Sequence, residues 1–122
     1  MITTALKAAK TSDMRKTRVG CVITKGRRVI ATGVNQMRHI SRCPTPLKWQ
    51  ASCHAETAAV MKLLRTRRQH LLVGSTIYVS RVKRDGKIGM AKPCPSCHAL
   101  LLACGVKKAI YTTETGIGEI RF

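Results

Sequence analysis

Apolar positions along the chain follow two different periods, and the order in which those periods alternate points to a fold class. From Thr3 to Met14, Ala5, Leu6, Ala8 and Ala9 recur at helical spacing and offer a small apolar face. Arg18 to Lys25 and Arg28 to Val34 instead carry short β-branched runs: Val19, Val22 and Ile23, then Val29, Ile30 and Val34. Lys25-Gly26-Arg27 separates them, so the pattern predicts a hairpin. Asn35 to Ser52 breaks both periods with Pro44, Pro46, basic residues and Trp49. A loop this long in a compact domain is usually functional.

The helical period returns from about His54 to Arg67, with Ala58, Ala59, Met61, Leu63 and Leu64 turned inward. Ser75 to Val82 reads as a strand, and Arg84-Asp85-Gly86-Lys87 as a turn or loop tip. Pro95 to Ala103 is a second marked helix, with proline in its first turn and Gly105 to end it. Val106 to Thr112 is a fourth strand, and Ile117 to Phe122 a short edge strand. Strands joined by helices imply partly parallel pairing. The expected fold is therefore α/β: a three-layer α/β/α sandwich on a mixed sheet of four or five strands, with an antiparallel hairpin at one side.

A length of 122 residues fits one domain, residues 1–122. An apolar fraction of 44% is enough for a core and argues against disorder. No apolar run is long enough for a membrane span, and Met1 to Lys10 lacks the apolar stretch of a signal peptide. The expectation is a soluble, cytoplasmic protein that does not engage a membrane. Charge changes the picture more: 23 Lys and Arg against 5 acids give a net +18, which a polyanionic partner would relieve. Nucleic acid or a phosphorylated nucleotide is the expected partner, with a solubility adaptation as the blander reading. Six cysteines could form three disulfides in a secreted chain, but a Cys-x-x-Cys pair inside a cell reads as metal or redox chemistry.

Two clusters carry the chemistry, His54-Ala55-Glu56 and Pro93-Cys94-Pro95-Ser96-Cys97, and each opens an expected helix. Cys94 and Cys97 are spaced so that both thiolates reach one ion from the first helical turn, and His54 can supply a nitrogen. Two Cys and one His leave a fourth tetrahedral position open, as in a catalytic zinc site. Zinc so ligated lets a bound water ionise near neutral pH, and both helix N-termini would aim their positive ends at the site. Glu56 is then the proton shuttle, taking a proton from the attacking water and delivering it to the substrate. Its carboxyl should titrate above the free value. A structural zinc ribbon would want a second Cys-x-x-Cys, which the chain lacks.

His-x-Glu followed by Pro-Cys-x-x-Cys resembles the signature of the cytidine deaminase superfamily, and the pattern is closest to deoxycytidylate deaminases and tRNA adenosine deaminases. The resemblance runs from about Arg18 to Thr113. Gly33-Val34-Asn35 resembles an element that ends the second strand in those enzymes, and Gly105 to Tyr111 looks like their fourth strand. It implies that Asn35 hydrogen-bonds the substrate sugar and that Ala55 lies against the substrate. The C-terminus is minimal by family standards, which leaves the substrate lid and any homo-oligomer interface unassigned.

The implied function is zinc-dependent hydrolysis of cytosine to uracil in a cytosine nucleotide such as deoxycytidylate, without an organic cofactor. A second reading is deamination of cytosine or adenine within single-stranded DNA or RNA, which the charge favours. A third is a non-catalytic nucleic-acid-binding module, against which Glu56 and the complete ligand set speak. Trp49 could stack on a base or anchor its loop, and Arg38, Arg42 and Lys48 could hold phosphate or be solvated. Cys43 and Cys53 with His39 could bind a second, structural zinc, although Cys53 reads first as a packed thiol. Cys21 and Cys104 are expected in the core, His70 and His98 near the surface. Lys62, Arg65, Arg67 and Arg68 form a basic run on the outer side of the second helix.

Overall fold

In the computed structural model, residues 1–12, 17–35 and 54–122 are described. Helix α1 (Ile2–Ala9) precedes a hairpin of β1 (Thr17–Lys25) and β2 (Arg28–Val34). Helix α2 (Ala55–Arg65) and a 3-10 turn at Gln69–Leu72 lead to β3 (Thr76–Lys83) and β4 (Ile88–Gly89). Helix α3 (Pro95–Ala103), β5 (Lys108–Thr112) and β6 (Ile117–Arg121) follow. The strand order is β2-β1-β3-β5-β6, with β4 paired to β3 beside this path. β1 runs antiparallel to β2 and β3, β3 pairs in parallel with β5, and β6 returns antiparallel on β5. The mixed sheet with a hairpin at one side is the architecture expected.

Two glycines set the layers. A Cβ on Gly20 would lie 2.3 Å from the Ala9 nitrogen and 2.4 Å from the Ala5 carbonyl oxygen, so α1 is seated directly on β1. A Cβ on Gly33 would lie 2.3 Å from the Ala55 carbonyl oxygen and 2.7 Å from the Ala59 nitrogen, which seats α2 equally closely. Gly20 and Cys21 are consecutive on β1, and Cys21 is paired with Gly33, so α1 and α2 cover opposite faces. β1 is accordingly buried without a break from Gly20 to Thr24, as a strand covered on both sides must be. The larger core lies on the α2 side, where Cys21, Ile23, Ile77 and Val79 meet Val60, Leu63 and Leu101.

Several boundaries differ from expectation for identifiable reasons. α1 ends at Ala9 instead of running on towards Met14: the Thr11 hydroxyl donates back to the Ala8 carbonyl, and the Ser12 hydroxyl donates to Asn35 Oδ1 at 2.6 Å. α2 ends at Arg65 in a reversal in which the Arg68 N–H reaches the Leu63 carbonyl and the Arg67 N–H reaches Leu64. Arg67 takes the left-handed conformation there, φ 56°, without the glycine that normally marks such a stop. α3 ends the same way, but with Gly105 in the left-handed position. The expected loop tip after Val82 is a hairpin, with Arg81 facing Gly89 and Val82 facing Ile88. No described helix is long and apolar enough to cross a membrane.

Candidate active site and metal centre

His54 is the N-cap of α2 and Cys94 the N-cap of α3, both extended, and Pro95 begins α3. The two helix N-termini meet, and Cys97, one turn into α3, joins them. His54 Nδ1 lies 3.2 Å from Cys97 Sγ and 3.5 Å from Cys94 Sγ, and the three ligand atoms are all within 4.8 Å of one another. Tetrahedral zinc with bonds of ~2.0–2.3 Å separates nitrogen and sulfur ligands by about 3.5 Å, so the spacing fits that ion. One nitrogen and two sulfurs also match zinc in donor chemistry and leave a fourth position for water or substrate. The Ser96 hydroxyl, 3.3 Å from Cys94 Sγ, adds a polar neighbour to the ligand sulfur.

Glu56 sits in the first turn of α2, only 5% exposed. Burial raises its carboxyl above the usual carboxylate value, partly offset by its own backbone N–H, the nearby His54 and the Cys97 thiol. Burial also pushes the Cys97 thiol up, and the neighbouring Glu56 and Cys94 add to that. Without a metal this thiol holds its proton firmly; a divalent cation supplies the opposite charge that a thiolate there requires. Beneath the first turn of α2, the Cys21 thiol donates to the Ala55 carbonyl at 3.2 Å, so this cysteine is the core residue expected.

The cluster opens into a cleft of about 270 Å³ lined by His54, Ala55, Glu56, Cys94 and Asn35, close to the lower end for small-molecule pockets. Asn35 is buried and well bonded: its Oδ1 accepts from the Val19 N–H at 2.8 Å and from the Ser12 hydroxyl, and its Nδ2 donates to the Thr17 carbonyl at 2.9 Å. It therefore ties the ends of β1 and β2 together at the cleft wall. Arg38, Arg42, Lys48 and Trp49, together with His39, Cys43 and Cys53, lie outside the described residues. Cys104 is half-buried at the core edge; the His98 ring packs 4.9 Å from that of Phe122, while His70 and the basic run from Lys62 to Arg68 face solvent.

Sequence reasoning missed both cations among the described residues of the cleft lining, Arg81 of β3 and Lys92. For Arg81 a signal existed. It follows Ile77 and Val79 at two-residue steps, which puts a cation in line with the buried face of the strand. Lys92 carried no such signal, because the strand pairing that leads the chain past the cleft, β3 with β4, was not anticipated.

A mixed sheet with an open His/Cys/Cys site at two helix N-termini defines a zinc-dependent hydrolase of the nucleobase-deaminase type. The sequence model for the cytidine and deoxycytidylate deaminase zinc-binding region matches residues 1–113, and the chain belongs to that family. It is 31% identical over 126 aligned positions to the deoxycytidylate deaminase of Mycobacterium phage D29, covering 91% of this chain and 90% of that one. It is 30% identical to the deoxycytidylate deaminase of Schizosaccharomyces pombe over 88% of this chain, but spans only 34% of the yeast protein. Among solved structures, the apo dCMP deaminase of cyanophage S-TIM5 superposes with a TM-score of 0.69 at 23% identity, covering 93% of this chain and 80% of that one. The cytidine deaminase of Mycobacterium leprae superposes with a TM-score of 0.58 at 22% identity, covering 98% and 89%. At these identities the structural likeness establishes the shared fold.

Proposed function

We propose that the chain hydrolyses the exocyclic amine of cytosine in a nucleotide, converting dCMP to dUMP. The observation that carries this reading is the buried Glu56 in the same cleft as His54 and Cys94, beside the convergent ligand cluster. Support for the nucleotide comes from the curated relatives, which are deoxycytidylate deaminases, and from the cyanophage enzyme, whose structure has been solved with dCMP and dUMP.

His54, Cys94 and Cys97 would hold the zinc, which would supply Lewis acidity and make the attacking water more acidic. Glu56 takes a proton from the attacking water and passes it to the ring nitrogen of cytosine as the new C4–O bond forms. It then delivers a proton to the amine as the C4–N bond breaks, so that water enters and ammonia leaves. Burial raises its pKa, the direction that helps a carboxyl both accept and release a proton. The walls formed by Asn35 and Ala55 face the sugar and base, and Arg38, Arg42, Lys48 and Trp49, which stack on or neutralise substrate or else only solvate and anchor their loop, are candidates from the sequence alone.

The second reading, a cytosine or adenine held in single-stranded nucleic acid, is favoured by the net charge of +18 and by Lys83, Arg84 and Lys87 on the hairpin that borders the cleft. Offering zinc-loaded protein dCMP and cytosine- or adenine-containing single-stranded oligonucleotides in parallel separates the two. The nucleotide reading expects dUMP; deamination confined to the oligonucleotides would replace it with the polymer reading.

A further inference from the structure

We propose that the Arg81 guanidinium is the anion-binding group of the cleft, gripping the phosphate of a nucleoside monophosphate with the Thr17 hydroxyl and Lys92 beside it. This rests on the nucleotide reading and names the residue that makes the phosphate matter for catalysis.

The position of Arg81 follows from the strand. Ile77, Val79 and Arg81 share one face of β3, and the first two are wholly buried under α2 and α3. Opposite Arg81 on β1 stands Val19, another wall of the cleft. The apolar face thus runs out beside the helix N-termini, and the next side chain along it is a cation. That cation is incompletely bonded. Arg81 Nε is buried and has no hydrogen-bond partner among the described residues. One terminal nitrogen lies 3.3 Å from the Thr17 hydroxyl and the other 3.4 Å from the Met90 carbonyl, both at the long end for hydrogen bonds. The three ion pairs among the described residues join Lys83 to Glu114 and Lys108 and Arg121 to Glu119, and none involves Arg81.

A buried N–H left unmade costs stability, and a partly buried cation without a counter-charge costs more. A phosphate in the cleft would relieve both, because the guanidinium fork presents parallel N–H donors that match two phosphate oxygens. Lys92, exposed and lining the same cleft, adds a second positive charge. The cleft therefore joins Glu56 and the ligand cluster, which act on the base, to two cations that suit the anion carried by the same molecule. A nucleoside without phosphate would leave Arg81 as it stands.

The test compares dCMP with deoxycytidine on zinc-loaded full-length protein, using wild type, Arg81→Gln and Lys92→Gln. Wild type should prefer dCMP in kcat/KM. Arg81→Gln should raise KM for dCMP by roughly 10- to 100-fold, the range for a lost charged hydrogen bond, with little change in kcat and none in kcat/KM for deoxycytidine. Lys92→Gln, at an exposed site that cannot unfold the chain, should shift KM for dCMP in the same direction by less. Inorganic phosphate should inhibit wild type competitively against dCMP. An equal loss on both substrates, or an unchanged KM for dCMP, overturns the assignment. Should Arg81→Gln fail to fold, phosphate competition and Lys92→Gln decide the matter by the same criteria. Equal turnover of dCMP and deoxycytidine by wild type would overturn the Arg81 assignment alone. No turnover of either would overturn the nucleotide reading and this inference with it.

Discussion

His54 Nδ1 and Cys97 Sγ, 43 residues apart in sequence, stand 3.2 Å from each other where the N-termini of α2 and α3 converge. That contact defines the metal centre and gives its first prediction. Burial and the neighbouring Glu56 and Cys94 hold the Cys97 thiol in its protonated form in the metal-free chain, so zinc must displace a proton to bind. Zinc affinity should rise with pH, and uptake should release protons. Cys97→Ser should leave far less than one zinc per chain and no activity, as metal analysis after gel filtration would show. Full zinc occupancy in that variant would remove Cys97 from the ligand set.

Glu56 links stability to the proposed proton transfer. Its carboxyl is raised above the ordinary 4.5 by burial, so the unfolded chain releases this proton first as pH rises. The folded state binds the proton longer, and stability is therefore lost as pH rises from about 4.5 through the folded pKa. Glutamine is neutral and nearly the same shape. Metal-free Glu56→Gln should melt above the wild type at pH 7, with the gap closing as pH falls through the folded pKa towards about 4.5. Zinc-loaded Glu56→Gln should keep its metal and lose roughly 10²- to 10⁴-fold in kcat. Thermal melts across pH, with kinetics at pH 7, check both halves.

Gly33 controls how closely α2 approaches the sheet. A methyl group there would strike the Ala55 carbonyl oxygen at 2.3 Å, one residue beyond His54. Gly33→Ala should cost about 1–3 kcal/mol or more through overpacking against backbone, and should lower zinc occupancy by displacing His54. Gly26→Ala meets nothing within 4 Å and suffers only its positive φ, so its cost should be about 1–2 kcal/mol with zinc retained. Denaturant melts and metal analysis on the pair distinguish a specific seat for α2 from general fragility.

Arg67 holds a left-handed conformation that reverses the chain after α2, at φ 56°. Arg67→Gly should stabilise the protein by about 1 kcal/mol, because glycine adopts that conformation without steric cost. A rise of a few degrees in melting temperature with unchanged kcat is the expected outcome; a fall would mean that the arginine side chain makes a compensating contribution.

That same arginine shows where the sequence stops being informative. Gly105 announces the end of α3 and Pro95 its beginning, because each residue type has one dominant backbone reason to be there. α2 closes with the same reversal but without glycine, and so its last turn was read as two residues longer than it is. β4 was invisible for another reason: two residues carry no period, and Ile88-Gly89 becomes a strand only by pairing with Arg81 and Val82. The metal cluster was more legible than the element boundaries around it. His54, Cys94 and Cys97 announce themselves as ligands by residue type and spacing, and the folding of two helix N-termini onto one point brings them together. Arg81 stands apart from the other basic residues only by its place two residues beyond Val79 on the buried face of β3, a signal that is easily lost among so many cations.

The central claim is that His54, Cys94 and Cys97 hold a zinc at which Glu56 moves the protons of cytosine deamination. The direct measurement incubates zinc-loaded wild type and zinc-loaded Glu56→Gln with dCMP and follows dUMP and ammonia. The account predicts equimolar dUMP and ammonia from the wild type and almost none from Glu56→Gln at equal zinc content. Equal turnover by the two proteins would contradict the role of Glu56, and no turnover of dCMP by the wild type would contradict the proposed substrate.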